Sequence, residues 1–520
     1  MRTLYTILCV LALAGCSGFL EEYSQDKAYV KSWEDLDELM LGNAYFTPVY
    51  IQNGWWSEGT TGKFYYPWIH VLADELTQIM SGKGSGRSNG ASFVTFGYHT
   101  WQFRVYEDPA GQKTWDDAAD FRHLYSHINA CNMILNEIVP FEKAATEEYD
   151  LQNIRRIQGE CHFLRAACYF MLVNFYGKPY DAATAVVDPA VPLKLTHYVE
   201  DKYYSRNSVA EVYEQIVSDL TEAESLLKDV PRKSPWRADV NAVRLLLSRT
   251  YLYMCNYAGA QKYAAMVTAG GPALENLNHF NGESFLTPDL SELIFSMGST
   301  SIFGSVTIDD NYGYSDENYR VSDELYSAYD PVGGHDLRLQ HYVVRRESDK
   351  TLRYKKLKGS TFSTPAMSDI FIMRTSEAYL NLAEAAACND DEATARQALR
   401  MLRENRIDAT FFDAAETDAL SGERLVQFIR DERQRELCLE GHRWFDLRRY
   451  RVAACYPQEV TMEHIFAAKS SEEPYGIIWR NKYVLPSDDP AWVLPLPVAE
   501  LDKNTGMIDN PRNERIYQPL

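Results

Sequence analysis

Along most of this chain apolar side chains recur every three or four positions. From Val209 to Leu227 they fall at Val209, Val212, Tyr213, Ile216, Leu220, Ala223 and Leu227, which lines one face of a helix with 3.6 residues per turn. Asn207 and Ser208 stand just before it as the N-cap. Val243, Leu246, Leu247, Thr250, Tyr251 and Met254 predict a second helix; the pattern breaks at Asn256 and resumes at Ala260, Tyr263 and Ala264, a helical hairpin. The same arrangement returns at Tyr379, Leu382, Ala383 and Ala386, then the polar turn Asn389-Asp390-Asp391, then Ala395, Ala398, Leu399 and Leu402. Ile157, Cys161, Leu164, Cys168, Met171 and Leu172 mark a long helix, preceded by another over about 121–138. Small residues at such contacts let helices approach closely. The expectation is an all-α chain, mainly helical, built as a scaffold of tetratricopeptide-like hairpins. The full repeat signature is absent, so independent hairpins are the alternative.

Two stretches, about 47–115 and 285–320, lack this period and are crowded with Gly and aromatic residues. The first holds Trp55, Trp56, Tyr65, Tyr66, Trp68, Tyr98 and Trp101, the second Phe303, Tyr312, Tyr314 and Tyr319. They predict an irregular, loop-rich part packed against the scaffold, the usual carrier of binding groups. No Pro-rich, Gly/Ser-rich or like-charge linker divides the chain, so residues 16–520 read as a single body.

The N-terminus changes the picture of where this body works. Met1-Arg2-Thr3, an apolar run from Leu4 to Leu13, and Ala14-Gly15-Cys16 form a signal peptide over residues 1–15. Leu13-Ala14-Gly15-Cys16 has the form of a lipobox, which makes Cys16 the expected lipidation site and covalent lipid the expected anchor. No later run has the length of a membrane helix, so the rest is expected to be tethered rather than inserted. A formal charge of −21 argues against nucleic acid. Of the nine cysteines, Cys9 leaves with the signal and Cys16 is acylated; the odd remainder predicts few or no disulfides.

Residues 430–449 read Arg-Asp-Glu-Arg-Gln-Arg-Glu-Leu-Cys-Leu-Glu-Gly-His-Arg-Trp-Phe-Asp-Leu-Arg-Arg. Glu432 with Arg435, and Asp431 with Arg435, have helical ion-pair spacing. Gly441 suits a helix C′ position, after which Trp444, Phe445 and Leu447 would pack as an anchor while Asp446 and Arg448 pair. With the lipobox and the following Ser17-Gly18-Phe19-Leu20-Glu21-Glu22, this run resembles the SusD/RagB family of outer-membrane nutrient-binding lipoproteins. Phe163-Leu164-Arg165-Ala166, Arg374, Glu377, Glu384 and Leu494-Pro495-Leu496-Pro497 agree with it, so the likeness runs almost end to end, its signature region over about 370–520.

The resemblance implies a cell-surface lipoprotein, facing outward from the outer membrane, that captures an oligosaccharide, polysaccharide or peptide. It also implies a partner, a SusC-like TonB-dependent transporter on which the chain sits as a lid. A sugar needs flat aromatic faces for stacking and a few polar groups for its hydroxyls. Residues 81–101 supply Asn89, Tyr98 and Trp101, with Arg87 as a clamp; family members often carry binding aromatics after an acidic pair similar to Asp74-Glu75. Tyr312 and Tyr314 come next after Trp101 and Tyr98, and each aromatic taken alone reads more readily as core than as ligand contact. Gly82-Lys83-Gly84-Ser85-Gly86 lacks the Gly-Lys-Ser/Thr end of a phosphate loop. No metal or catalytic motif is present, so no enzyme and no cofactor are expected, a structural calcium being left open. A surface glycoside hydrolase, a peptide binder and a purely structural transporter lid are the alternatives.

Overall fold

The computed structural model describes residues 30–46, 65–80, 91–114, 116–298, 319–330, 333–346, 350–357, 367–470 and 476–520. Its scaffold helices are α1 (Ala119–Glu137), α2 (Glu148–Tyr176), α3 (Val209–Leu227), α4 (Val240–Tyr253), α5 (Tyr257–Gly270), α6 (Thr375–Cys388), α7 (Glu392–Glu404), α8 (Gly422–Leu437) and α9 (Arg443–Arg451). The apolar faces pack in succession, α1 on α2, α2 on α3, α3 on α4, α4 on α5, α5 on α6, and α6 on both α7 and α8. This is the mainly helical array of hairpins that the 3.6-residue period predicts. Local chemistry sets the ends. Ser208 Oγ accepts from Glu211 N at 3.2 Å while the Glu211 carboxylate accepts from Ser208 N at 2.7 Å, a full capping box. Asn256 caps α5 and Asp391 caps α7. Gly159 lets α2 and α3 touch, since a Cβ there would lie 2.6 Å from Leu227 Cγ.

Small antiparallel sheets fill the space beside this array. Strands β1 (Leu76–Gln78), β2 (Leu293–Ser296), β3 (Tyr319–Val321), β4 (Val343–Arg345), β5 (Leu352–Tyr354) and β6 (Ile372–Arg374) pair as β1–β3, β2–β6 and β4–β5. The hairpin β7 (Met462–Lys469) and β8 (Ile477–Leu485) is extended by β9 (Tyr517–Pro519). Met462, His464 and Phe466 point inward and Glu463 and Ile465 outward, the alternation of a half-buried strand. One large apolar core runs through both scaffold and sheets.

The segment 430–449 is a buried ionic crossing rather than a surface helix. Arg374 reaches Glu292 at 2.7 Å and Glu440 at 2.9 Å; Arg406 reaches Glu292 at 2.8 Å and Glu436 at 2.9 Å. Arg338 pairs with Asp336 and Glu432, both at 2.7 Å. Lys356 Nζ donates to Glu436 O, Cys438 O and Glu440 Oε1. Glu432 and Arg435 pair at 2.7 Å as expected. Other expected pairs are corrected. Asp431 takes Gln427 instead of Arg435. Asp446 binds Arg433 and Arg449, each at 2.8 Å, because i,i+3 side chains share a helix face and i,i+2 do not; Arg448 turns to Gly177 O. The helix ends at Leu437, so Gly441 (φ +76°) serves the turn into α9 and not the C′ position. Trp444, Phe445 and Leu447 are buried as an anchor.

Candidate ligand-binding face at the loop roots

Arg87, Asn89, Tyr312, Tyr314 and Cys16 lie outside the described residues. Among the described residues, those that flank 81–90 meet those that flank 299–318. In the β1–β3 pair Gln78 stands opposite Tyr319, so the stretch entering residues 81–90 begins beside the residue that ends 299–318. Ser92, just past 81–90, accepts from Gln78 Nε2 at 3.2 Å, and Thr95 Oγ1 lies 2.8 Å from the Tyr319 hydroxyl. The Gln78 carboxamide also behaves as a substitute peptide group. Its nitrogen donates to Ala467 O at 3.0 Å and its oxygen accepts from Ala467 N at 2.7 Å, joining β1 to β7 without a backbone ladder. Lys469 Nζ donates to Ile79 O at 2.9 Å, which brings the end of β7 to the same edge.

A second meeting point is aromatic. Phe46 and Tyr65, on either side of residues 47–64, stack at 4.4 Å between ring centres, and Phe371 meets Phe46 edge-on at 4.3 Å. Gly298 (φ +80°), where residues 299–318 begin, sits against Phe46, and Met297 N donates to Phe371 O at 3.1 Å. His127 bridges Tyr65 and the backbone, with Nε2 2.7 Å from the Tyr65 hydroxyl and Nδ1 2.7 Å from Asn43 O. Burial, partly offset by that carbonyl, pushes the imidazole down to about 4, so it is neutral at physiological pH. The carbonyl can only accept, which puts the proton on Nδ1 and leaves Nε2 to accept from Tyr65.

The expectation that Tyr98 and Trp101 present exposed faces is corrected. Tyr98 is 4% exposed and stacks on Trp68 at 4.4 Å; Trp101 is 1% exposed and stacks on His464 at 4.3 Å, its indole N–H donating to Leu72 O. Trp101 adopts φ +53°, and Arg512 and Arg515 both donate to its carbonyl. Gly97 is required nearby, because a Cβ would lie 2.5 Å from Val105 O. The edge of Tyr98 lines a cleft with Trp68, Tyr106, Asp117, Tyr176 and Leu494 that has room for about one water and none for a sugar ring.

Sequence reasoning missed what Asp74 and Glu75 do. Asp74 takes a bidentate Arg443 at 2.8 and 2.7 Å. Glu75 accepts from Leu439 N at 2.9 Å, and its carbonyl accepts from Ser322 N. Burial, partly offset by the Leu439 N–H, pushes Glu75 up to about 7. The acidic pair therefore hooks β1 and β3 onto the 430–449 segment. Among the described residues no group of His, Cys, Asp and Glu side chains could hold a metal ion.

Two family models match the chain. The SusD family matches residues 340–512, and the family described as starch-binding associating with outer membrane matches residues 81–252. The chain is a SusD-like family member. Solved structures share its fold. A SusD superfamily protein from Bacteroides thetaiotaomicron has TM-score 0.65 at 21% identity, covering 93% of this chain and 100% of its own. A SusD-like carbohydrate binding protein from Bacteroides vulgatus has TM-score 0.65 at 18% identity over 92% and 98%. A laminarin binding SusD-like protein has TM-score 0.58 at 18% identity over 93% and 100%. A comparison with curated proteins finds no match. Among the described residues of this SusD-like chain no helix is long and apolar enough to cross a membrane.

Proposed function

We propose that this SusD-like chain is a lipid-anchored, outward-facing protein of the outer membrane that captures a glycan at the loop-root face and passes it to a TonB-dependent transporter. The observation that carries the reading is the β1–β3 register. It sets the residues that lead into 81–90 beside the residue that follows 299–318, which supports assigning Arg87, Asn89, Tyr312 and Tyr314 to one ligand. Tyr98 and Trp101 then support the face from behind. The carbohydrate-binding and laminarin-binding neighbours favour a glycan over a peptide, and Cys16 supplies the anchor. The family's carbohydrate binders favour capture over hydrolysis.

Calorimetric titration of the mature chain with laminarin oligosaccharides, malto-oligosaccharides and an unrelated peptide, followed by chromatography of the mixtures, tests the reading. Saturable glycan binding without new products is expected. A Tyr312→Ala variant is expected to bind at least about tenfold more weakly, the loss of one stacking anchor of about 1.4 kcal/mol or more. Appearance of shorter oligosaccharides would make the chain a hydrolase, and binding of the peptide alone would overturn the glycan. Retention of a Cys16→Ala variant at the membrane would overturn the anchor, and failure to co-purify with a transporter barrel would overturn the partner.

A further inference from the structure

Between α2 and α3 the chain makes a densely bonded turn, residues 194–204, that leaves two aromatic rings in solvent. Tyr169 of α2 fixes its start: the hydroxyl accepts from Lys194 N at 2.7 Å and donates to Lys194 O at 2.9 Å. Asn132 of α1 donates to the same carbonyl at 2.9 Å. The Lys194 side chain then folds back inside the turn. Its ammonium donates to Thr196 O at 2.7 Å and Tyr198 O at 2.6 Å and pairs with Glu200 at 3.4 Å. Glu200 in turn accepts from Thr196, Lys202 and Tyr204, each at 2.8 Å, and Tyr204 N donates to Asn504 at 3.0 Å. Lys194 stands 5.5 Å from the centre of the Tyr198 ring, and the His197 ring packs nearly at a right angle to it. Yet Tyr198 is 54% exposed and Tyr203 69%. A turn bonded in this way holds its exposed rings in place before any ligand arrives, so less ordering entropy is lost on binding.

We propose that this turn is a second glycan subsite, separate from the loop-root face, in which Tyr198 and Tyr203 stack on sugar rings while Asp201 and Lys202 bond their hydroxyls. The subsite deepens the proposed function and rests on its glycan reading. A sugar offers flat C–H faces and a rim of hydroxyls, and two exposed tyrosine rings with charged side chains between them match both. A protein partner fits less well. Protein interfaces are depleted of charge at their cores, whereas Glu200, Asp201 and Lys202 stand between the two tyrosines in the chain. The loop-root face is built on β1, β3 and β7, the turn on α1 and α2. A polysaccharide would thus find two points of attachment on one protein molecule, the second contact following the first as an intramolecular step.

The mature chain is titrated calorimetrically with short laminarin oligosaccharides and short malto-oligosaccharides, beside a Tyr198→Ala/Tyr203→Ala variant and the Tyr312→Ala variant. Both exposed tyrosines can be removed without opening the core, and an unchanged thermal midpoint checks that the fold is kept. Wild type is expected to bind more than one oligosaccharide per chain, and the double variant to lose one of them while the remaining affinity stays within about twofold. Tyr312→Ala is expected to keep the site that the double variant loses. The subsite is overturned, and the glycan reading kept, if the double variant binds with the stoichiometry and affinity of wild type while Tyr312→Ala binds more weakly. It is also overturned if the double variant keeps its glycan binding but no longer co-purifies with a transporter barrel, which would make the turn a protein contact. Wild type that binds neither glycan would overturn both readings together.

Discussion

Replacing Glu75 by Gln separates burial of a carboxyl from the bond it makes. Glu75 is 2% exposed and accepts from Leu439 N. Burial pushes its carboxyl from an ordinary 4.5 to about 7, the Leu439 N–H opposing and Asp74 adding to the rise. A carboxyl raised in the fold binds its proton more tightly folded than unfolded. Its favourable contribution is therefore complete below about pH 4.5 and is lost as pH rises through about 7. The shift corresponds to roughly 3 kcal/mol. Glutamine keeps the acceptor for Leu439 N and has no charge to bury, so Glu75→Gln should match wild type near pH 4.5 and be the more stable protein at pH 8.5. Unfolding entropy of about 2.1 cal/mol/K per residue makes roughly 1 kcal/mol equal to about 1 °C for a chain this long. The expected gain at pH 8.5 is thus about 3 °C in thermal midpoint by calorimetry. A variant that melts at or below wild type at pH 8.5 would refute the reasoning. Asp120 is raised through the same pH window, but it makes a poorer test. Its two oxygens accept from Tyr66 N and Trp68 Nε1, so asparagine would set an amide against a donor.

Arg374→Met leaves Glu292, Glu436 and Glu440 short of a buried cation. A loss of about 3–5 kcal/mol is expected, read as a fall in denaturant midpoint, and an unchanged midpoint would contradict the assigned network. Trp101→Ala removes a buried indole stacked on His464 and should lower stability by about 3–5 kcal/mol. Undiminished stability together with lost glycan affinity would instead make Trp101 a ligand contact. Ser208→Ala breaks the α3 capping box and should lower the thermal midpoint by about 1 °C, from about 1 kcal/mol; no change would show that the box is not formed.

The helices were legible because their information is local. The apolar stripe from Val209 to Leu227 marks α3 residue for residue, and Ser208, Asn256 and Asp391 announce caps through their own short side chains. The alternation of Met462, His464 and Phe466 was an available signal for β7, overlooked beside the stronger helical period. What pairs with what across the fold left no such trace. Arg374 is 82 positions from Glu292 and 62 from Glu436, and nothing in their flanks says they meet. The reading of Tyr98 and Trp101 as exposed failed for a physical reason. Aromatic density without periodicity points to irregular backbone, but irregular backbone can be buried where its polar groups find partners. Here Trp101 O is taken by Arg512 and Arg515 from the C-terminal segment, a contact no local pattern announces.

The 430–449 signature and the loop-root face are separated by one short relay. Lys356 fixes the turn after α8 by bonding Glu436 O, Cys438 O and Glu440 Oε1. Leu439 lies inside that turn with φ +56° and gives its N–H to Glu75. Glu75 in turn receives Ser322 N on its carbonyl and precedes β1, whose last residue, Gln78, faces Tyr319. A buried ionic network carries a desolvation cost that apolar packing would avoid, while its directional bonds fix a backbone position that repacking side chains leave looser. The relay gives that directionality an object, the placement of β1 and β3. Lys356→Met should therefore loosen the turn before it loosens the scaffold, with hydrogen exchange at the Leu439 and Ser322 amides rising while α2 and α3 stay protected. Equal protection of both amides in variant and wild type would show that the signature stabilises the fold without setting the position of β1 and β3, on which the proposed ligand-binding face rests.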